Sequence, residues 1–290
     1  MNTETIWPNG ARLALSIVVN VEEGAEMSVA DGDKRAEAVD EMGMMVKPGI
    51  RNFSNESNYA YGIKAGAPRI MDMLARRNLQ ATFTAAAQSL ERAPDIAQRI
   101  ADDGHEICAH GYRWQVQHNM DEDTERAFIR RAAESIQITT GKRPVGWLSR
   151  YLFTANTRRL LIEEGFRYHM DDYSDDKPFW DRDTKIGEPI LILPYAIDTN
   201  DMKMWNAPAY SPNDWVDYLN DTLDVLYKEG AREPRMMSLG LHLRIAGRPG
   251  RAAALESFIE RVNNTDGIWV ATRAQIMEHW TRTFPPRLMI

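Results

Sequence analysis

The sequence predicts a single α/β domain of TIM-like barrel type, and three observations predict it. Short apolar runs rich in branched residues alternate with amphipathic stretches along the whole chain, the pattern of a parallel sheet covered by helices. No linker-like segment, repeat or low-complexity stretch interrupts them, so one domain is expected over residues 1–290. About seven strand–helix units without a glycine-rich dinucleotide fingerprint favour an irregular barrel of seven or eight units over a doubly wound sheet.

The first strand is read at 13–20 (LALSIVVN), a branched apolar run of the kind buried on both faces. It runs into Val21-Glu22-Glu23-Gly24, two adjacent carboxylates at a strand end. Residues 25–65 show no clear period and are rich in Gly, Asn, Asp and Met, so they are expected to form an arm or lid. Pro68 suits the first turn of a helix whose apolar face is Ile70, Met71 and Leu74. Strands are expected at 81–86 and 104–110, with a short helix at 94–103 between them. A charged amphipathic helix over 121–140 ends at Gly141, and 144–148 is the fourth strand. The next helix, 154–164, takes Thr154 as its cap and Gly165 as its stop. Strands follow at 167–170 and 189–193, then a helix from Ser211-Pro212 to about Glu229. A strand at 236–243, a helix at 249–262, a strand at 268–271 and a helix at 273–283 complete the series.

A net charge of -7 argues against nucleic acid or an anionic membrane as partner. No apolar run approaches the roughly 20 residues that span a bilayer, and residues 1–10 lack the layout of a signal peptide. The single cysteine, Cys108, excludes an intrachain disulfide framework and suits a reducing compartment. A cytoplasmic location is the expectation.

Candidate chemistry gathers at strand ends, where a barrel carries its active site. Glu22 and Glu23 are candidates for a general base or a metal ligand. His105 and His110 are five apart and would point to opposite faces of a strand, and His110, beside Gly111, is taken as the one in the site. His242 ends the apolar run Leu239-Gly240-Leu241 and suits a general acid that protonates a leaving nitrogen. Arg150 follows the fourth strand and could hold a carbonyl oxygen or an oxyanion. Asp198 and Asp201 follow another strand and are candidate substrate contacts, with Asp198 the one chosen. Asp171, Asp172, Asp175 and Asp176 lack calcium-loop spacing and read mainly as a solvated loop. Trp114, Trp147, Trp180 and Trp205 read as packing aromatics, any of which could wall a small pocket. Cys108, in mid-strand, reads as buried and inert. Nucleophilic-serine, Walker and HExxH motifs are absent.

Nearly the whole chain resembles the polysaccharide deacetylase (NodB-homology) family, within it the allantoinase-like PuuE and cyclic imidase branch. The residues that carry the resemblance are Asn20-Val21-Glu22-Glu23-Gly24, Tyr61-Gly62-Ile63-Lys64-Ala65-Gly66 and Gly104-His105-Glu106 with His110-Gly111-Tyr112-Arg113-Trp114. They continue in Asn156 to Leu161, Asp171 to Asp176, Gly240-Leu241-His242 with Gly247 to Arg251, and Trp269 to Arg273. The resemblance implies an irregular barrel and a metal site built from a carboxylate and two histidines four apart. Glu22 and Glu23 fall on the family's base and metal-binding aspartates, His110 on the first histidine and His242 on the general acid. Trp114 stands where the second histidine would be, and Arg150 is matched to the substrate-holding arginine.

With one ligand missing, the expectation is a metal-free site; a divalent ion such as zinc, if present, would use Glu23 and His110, with His118, Asp198 or Cys108 as a possible third donor. Without a Lewis acid, a poorly electrophilic sugar acetamide is a hard substrate, whereas a cyclic imide or ureide is activated by its ring. The expected function is therefore hydrolysis of a small cyclic amide, a cyclic imide such as succinimide in preference to allantoin. Glu22 or Glu23 would activate water, with His110 orienting it; His242 would serve as acid, and Arg150, Trp114 and Asp198 would contact substrate. A metal-dependent de-N-acetylase of an amino sugar is the alternative, and a non-catalytic binding relative the third reading. Eight tryptophans and 15 methionines, with the family, suggest a homo-oligomer, a dimer or tetramer, with the 25–65 arm as contact or lid.

Overall fold

The computed structural model describes residues 6–286, so half of the N-terminal stretch read for a targeting signal lies outside it. Nine strands form one curled sheet: β1 (Leu13–Val21), β2 (Thr82–Ala85), β3 (Glu106–Ala109), β4 (Gly146–Trp147), β5 (Tyr168–His169), β6 (Phe179–Asp181), β7 (Ile190–Ile192), β8 (Arg235–His242) and β9 (Ile268–Val270). Their order is β6-β7-β5-β4-β3-β2-β1-β8, with β9 beside the first three residues of β1. All pairings are parallel except β6 with β7. Helices cover the outer face, as parallel sheets require, and the architecture is the irregular α/β barrel that the alternation of elements predicts.

Strand alternation separates two cores. Leu13, Leu15, Ile17, Val19 and Val21 of β1 pack outward against the helices, while Ala14 and Val18 face inward with Cys108, Leu148, Tyr168 and Leu191. The register sets the inner layers level with one another. Asn20 pairs with His242, and Val21, Ala85, Ala109 and Trp147 pair in turn across β1 to β4. Residues one step beyond those ends, Glu22 and His110 among them, therefore arrive at one rim of the barrel.

Among the described residues the free edges of the sheet are β6 and β8, and a gap separates β8 from the Leu193–Pro194 segment that follows β7. Buried Arg273 spans it, donating to the Leu193 carbonyl at 2.6 Å and the Pro194 carbonyl at 3.0 Å. An isolated parallel bridge between Asn200 and Gly240 continues the seam.

Helix ends follow local chemistry. Asp121 accepts from the Thr124 amide at 2.8 Å to start helix Glu122–Thr140, which stops at Gly141 with φ 74°. Capping boxes open Pro212–Glu229, from Ser211 and Asp214, and Arg273–Thr283, from Thr272 and Gln275. The expected cap at Thr154 is corrected: the helix is Thr157–Glu163, and the Thr154 hydroxyl instead accepts from the Asn156 amide just before it. The antiparallel strand β6 and the short helices Ala87–Arg92 and Leu243–Ala246 were not expected.

The 25–65 segment is ordered across the rim. It contains helix Phe53–Tyr61, invisible to periodicity because its anchors are polar rather than an apolar stripe. Asn52 caps it, the Asn55 side-chain amide donates to the Glu37 carbonyl, and the Tyr59 hydroxyl donates to the Val39 carbonyl. A π-turn, Gly62–Gly66, then leads into helix Ala67–Ala75. Among the described residues no helix is long and apolar enough to cross a membrane.

Candidate active site

A pocket of about 420 Å³ opens at the C-terminal ends of the strands, lined by Glu22, His110 and His242 together with Trp114 and Arg150. β1 ends in an alternating pair. Glu22 continues the inward series of Val18 and Asn20, so its carboxylate faces the pocket, while adjacent Glu23 turns away. Glu23 packs on Gly62, whose missing side chain makes room for it, and its carboxylate accepts the Glu22 amide at 3.1 Å and the Arg244 amide at 3.2 Å. The expectation that either carboxylate could reach the substrate is corrected: Glu22 faces the pocket, and Glu23 stands behind it.

Arg244 was not anticipated. It is fully buried, donates to Glu22 Oε2 at 2.8 Å and lies 3.6 Å from Glu23 Oε1. Its guanidinium sits over Tyr59, 4.3 Å from the ring centre. The signal was in the sequence, an arginine within the apolar run Leu241-His242-Leu243-Arg244-Ile245-Ala246; a charge in such a run is buried only where a counter-charge meets it.

His242 is held by Asp201, not by Asp198. Asp201 accepts from His242 Nδ1 at 2.7 Å and from the His242 and Ala246 amides at 2.7 and 3.1 Å. His242 Nε2 then points at Glu22 Oε1, 3.4 Å away. Asp198 is exposed, accepts from the Tyr218 hydroxyl at 2.8 Å and lines a neighbouring groove, so its assignment as a substrate contact is corrected.

His110 donates from Nδ1 to the Leu148 carbonyl at 2.7 Å, which leaves Nε2 with a lone pair. The Trp114 indole N–H donates to that lone pair at 3.0 Å. Trp114 therefore walls the pocket and fixes the His110 ring. Arg150 also lines the pocket, but its terminal nitrogens are committed: two bonds of 3.0 and 2.6 Å to Glu37 and one of 2.6 Å to the Trp114 carbonyl. Its guanidinium stacks on the Trp114 ring at 3.7 Å. Three of its five N–H groups are used in those hydrogen bonds, and Nε–H is buried without a protein partner. The Arg150–Glu37 pair fastens the 25–65 arm to the barrel.

The charges are strongly coupled. Burial alone would raise the Glu22 pKa, but the His242 and Arg244 charges and the hydrogen bond from His242 outweigh it and hold the carboxyl well below its ordinary range. Burial would lower His242, yet the Asp201 and Glu22 carboxylates raise it to about 10. Burial raises Glu23 to about 7, against the opposing pull of Arg244. At neutral pH the pocket thus presents a carboxylate beside a protonated imidazole, a base and an acid in contact.

The donor set does not fit a divalent metal. His110 has no free lone pair, Glu23 faces away, and Arg244 already places a positive charge on Glu22. Among the described residues no three His, Cys, Asp or Glu side chains are placed to hold one. The additional donors considered for it are elsewhere: His118 and Asp198 are exposed, and Cys108 lies in the barrel interior against Met170, its thiol raised by burial. His105 lies at the opposite end of β3, stacked on Phe83. Of the four-aspartate loop, Asp171 is buried and accepts the Ser149 amide at 2.6 Å, and Asp172 pairs with Arg158 at 2.9 Å; none lines the pocket.

Residues 57–169 match the family described as polysaccharide deacetylase. The chain is 34% identical over 299 residues to a putative polysaccharide deacetylase of Schizosaccharomyces pombe, covering 96% of this chain and 93% of that one. Among solved structures it is similar to a probable polysaccharide deacetylase from Pseudomonas aeruginosa, at 44% identity and TM-score 0.93, over 97% of this chain and 95% of that one. It is equally similar to PuuE allantoinase, at 42% identity and TM-score 0.94, over 99% and 96%.

Proposed function

The chain belongs to the polysaccharide deacetylase family of hydrolases, and from that premise we propose that it opens the C–N bond of a small cyclic amide, a cyclic imide such as succinimide before a ureide such as allantoin. The observation that carries this reading is the Glu22–His242 pair, a carboxylate and an imidazole 3.4 Å apart, with Trp114 donating to His110 and Arg244 donating to Glu22. Likeness to PuuE allantoinase across nearly the whole chain supports a ring substrate.

The reaction follows from the geometry. Glu22 Oε1, its partner oxygen tied to Arg244, takes a proton from water as the water oxygen adds to a ring carbonyl. Arg150, on the pocket wall with two N–H groups not engaged by protein, is the donor assigned to the developing oxyanion. His242 gives its proton to the ring nitrogen as the C–N bond breaks, and Glu22 returns the captured proton to His242 across their contact. Water and the ring imide become one open chain bearing a carboxylic acid and a primary amide, and both side chains recover their starting states. An imide suits this machinery because its departing nitrogen is stabilised by the second acyl group, so Lewis-acid assistance worth several kcal/mol is not required.

A pocket of about 420 Å³ walled by Trp114 and tyrosines, with the arm across the rim, suits a single ring better than a sugar chain. Assembly into a dimer or tetramer belongs to the same reading, supported by the exposed Met42, Met44, Met45, Ile50 and Phe53 on the arm; light scattering tests it. The function is tested by turnover of succinimide, glutarimide, hydantoin and allantoin beside N-acetylated chito-oligosaccharides. Opening of at least one ring with no acetate release is expected. Acetate release without ring opening would overturn the proposal in favour of a de-N-acetylase.

A further inference from the structure

Resting on the ring-opening reading, we propose that the natural substrate ring carries a carboxylate, and that Lys203 recognises it. The short 3-10 turn Asp201–Met204 has three residues per turn, which puts Asp201 and Met204 together on its buried face. Met202 and Lys203 fall on the other face and line the pocket. One turn thus supplies both the carboxylate that orients the acid and a cation at the substrate.

Charge pairing around the pocket singles Lys203 out. Glu22 is matched by Arg244, Asp201 by His242 and Glu37 by Arg150. Lys203 is half-buried and makes no ion pair among the described residues. A neutral ring would leave this pocket-lining cation without a counter-charge. A substrate carboxylate completes the pairing, and Asn206 lines the same pocket.

The test compares a succinimide bearing a carboxymethyl group on its ring carbon with the methyl ester of the same compound. Wild-type protein is expected to favour the acid by roughly tenfold or more in kcat/KM. Lys203→Met should bring the two substrates to within about twofold, and Lys203→Arg should keep most of the preference. Because the readout is a ratio within each protein, partial misfolding of a variant does not disturb it. Equal or faster opening of the ester by wild type, or a preference that survives in Lys203→Met, overturns the inference while leaving ring opening intact. Failure to open either ring overturns the reading on which it rests.

Discussion

Glu22 Oε1 stands 3.4 Å from Nε2 of His242, and each residue is held in its charged form by a second partner, Arg244 on Glu22 Oε2 and Asp201 on His242 Nδ1. The four side chains form one chain of alternating charge, so removing an end alters the middle. Glu22→Gln and His242→Ala are each expected to lower kcat on a cyclic imide by roughly 10²–10⁴-fold, and the double variant by little more than the worse single one. Steady-state kinetics with circular dichroism as a folding control checks this.

The pH profile should be broad and asymmetric. The active form has Glu22 ionised and His242 protonated; Glu22 lies well below its ordinary range and His242 at about 10. Activity is therefore expected to hold across neutral pH and to fall as pH rises through about 10, when His242 loses its proton. Asp201→Asn removes a charge that raises His242, so the alkaline limb should move toward neutrality. An alkaline limb unchanged in Asp201→Asn would contradict the assignment.

Arg244→Met should bring the acid limb into view, because Glu22 loses a cation that keeps it ionised. It also strands a buried carboxylate, at a cost of about 3–5 kcal/mol. Arg244→Lys keeps the charge and should recover part of the stability and of the acid-side activity. The readouts are denaturant midpoints and kcat/KM from about pH 4 to 8.

Glu23 separates position from identity. Its carboxylate does not face the pocket, so Glu23→Gln should cost far less activity than Glu22→Gln. Its folded pKa, about 7, lies above its ordinary 4.5. That difference contributes stability fully present below 4.5 and lost as pH rises through 7. The thermal midpoint of Glu23→Gln relative to wild type should accordingly climb between about pH 4.5 and 7 and level off above.

The arm is tied down by the buried Arg150–Glu37 pair. Glu37→Ala leaves Arg150 without its counter-charge and is expected to cost about 3–5 kcal/mol, to raise KM more than it lowers kcat, and to expose residues 26–52 to limited proteolysis.

Much of this was legible in the sequence, and the exceptions have physical causes. Strand ends named Glu22, His110 and His242 because a register-matched parallel sheet carries successive strand ends to one rim. The choice between Glu22 and Glu23 was readable in β1, where Ser16 and Asn20 share the face of Glu22 while Leu13, Leu15, Ile17, Val19 and Val21 share that of Glu23. Asp201 and Asp198 could not be ranked from a turn whose phase the sequence does not mark, and only the turn puts Asp201 under His242. Arg150 has the location expected of it, but Glu37, from the unpatterned arm, and the Trp114 carbonyl take three of its five donors. Arg244 carried a readable signal, a charge inside an apolar run.

The central claim is that base and acid suffice without a metal, because Trp114 fills the lone pair of His110 and Arg244 neutralises Glu22. The most direct measurement is succinimide turnover by protein freed of metal through exhaustive chelation, with residual metal quantified in the same sample. Turnover undiminished at substoichiometric metal is the predicted result. Turnover lost on chelation and restored by zinc would contradict the account.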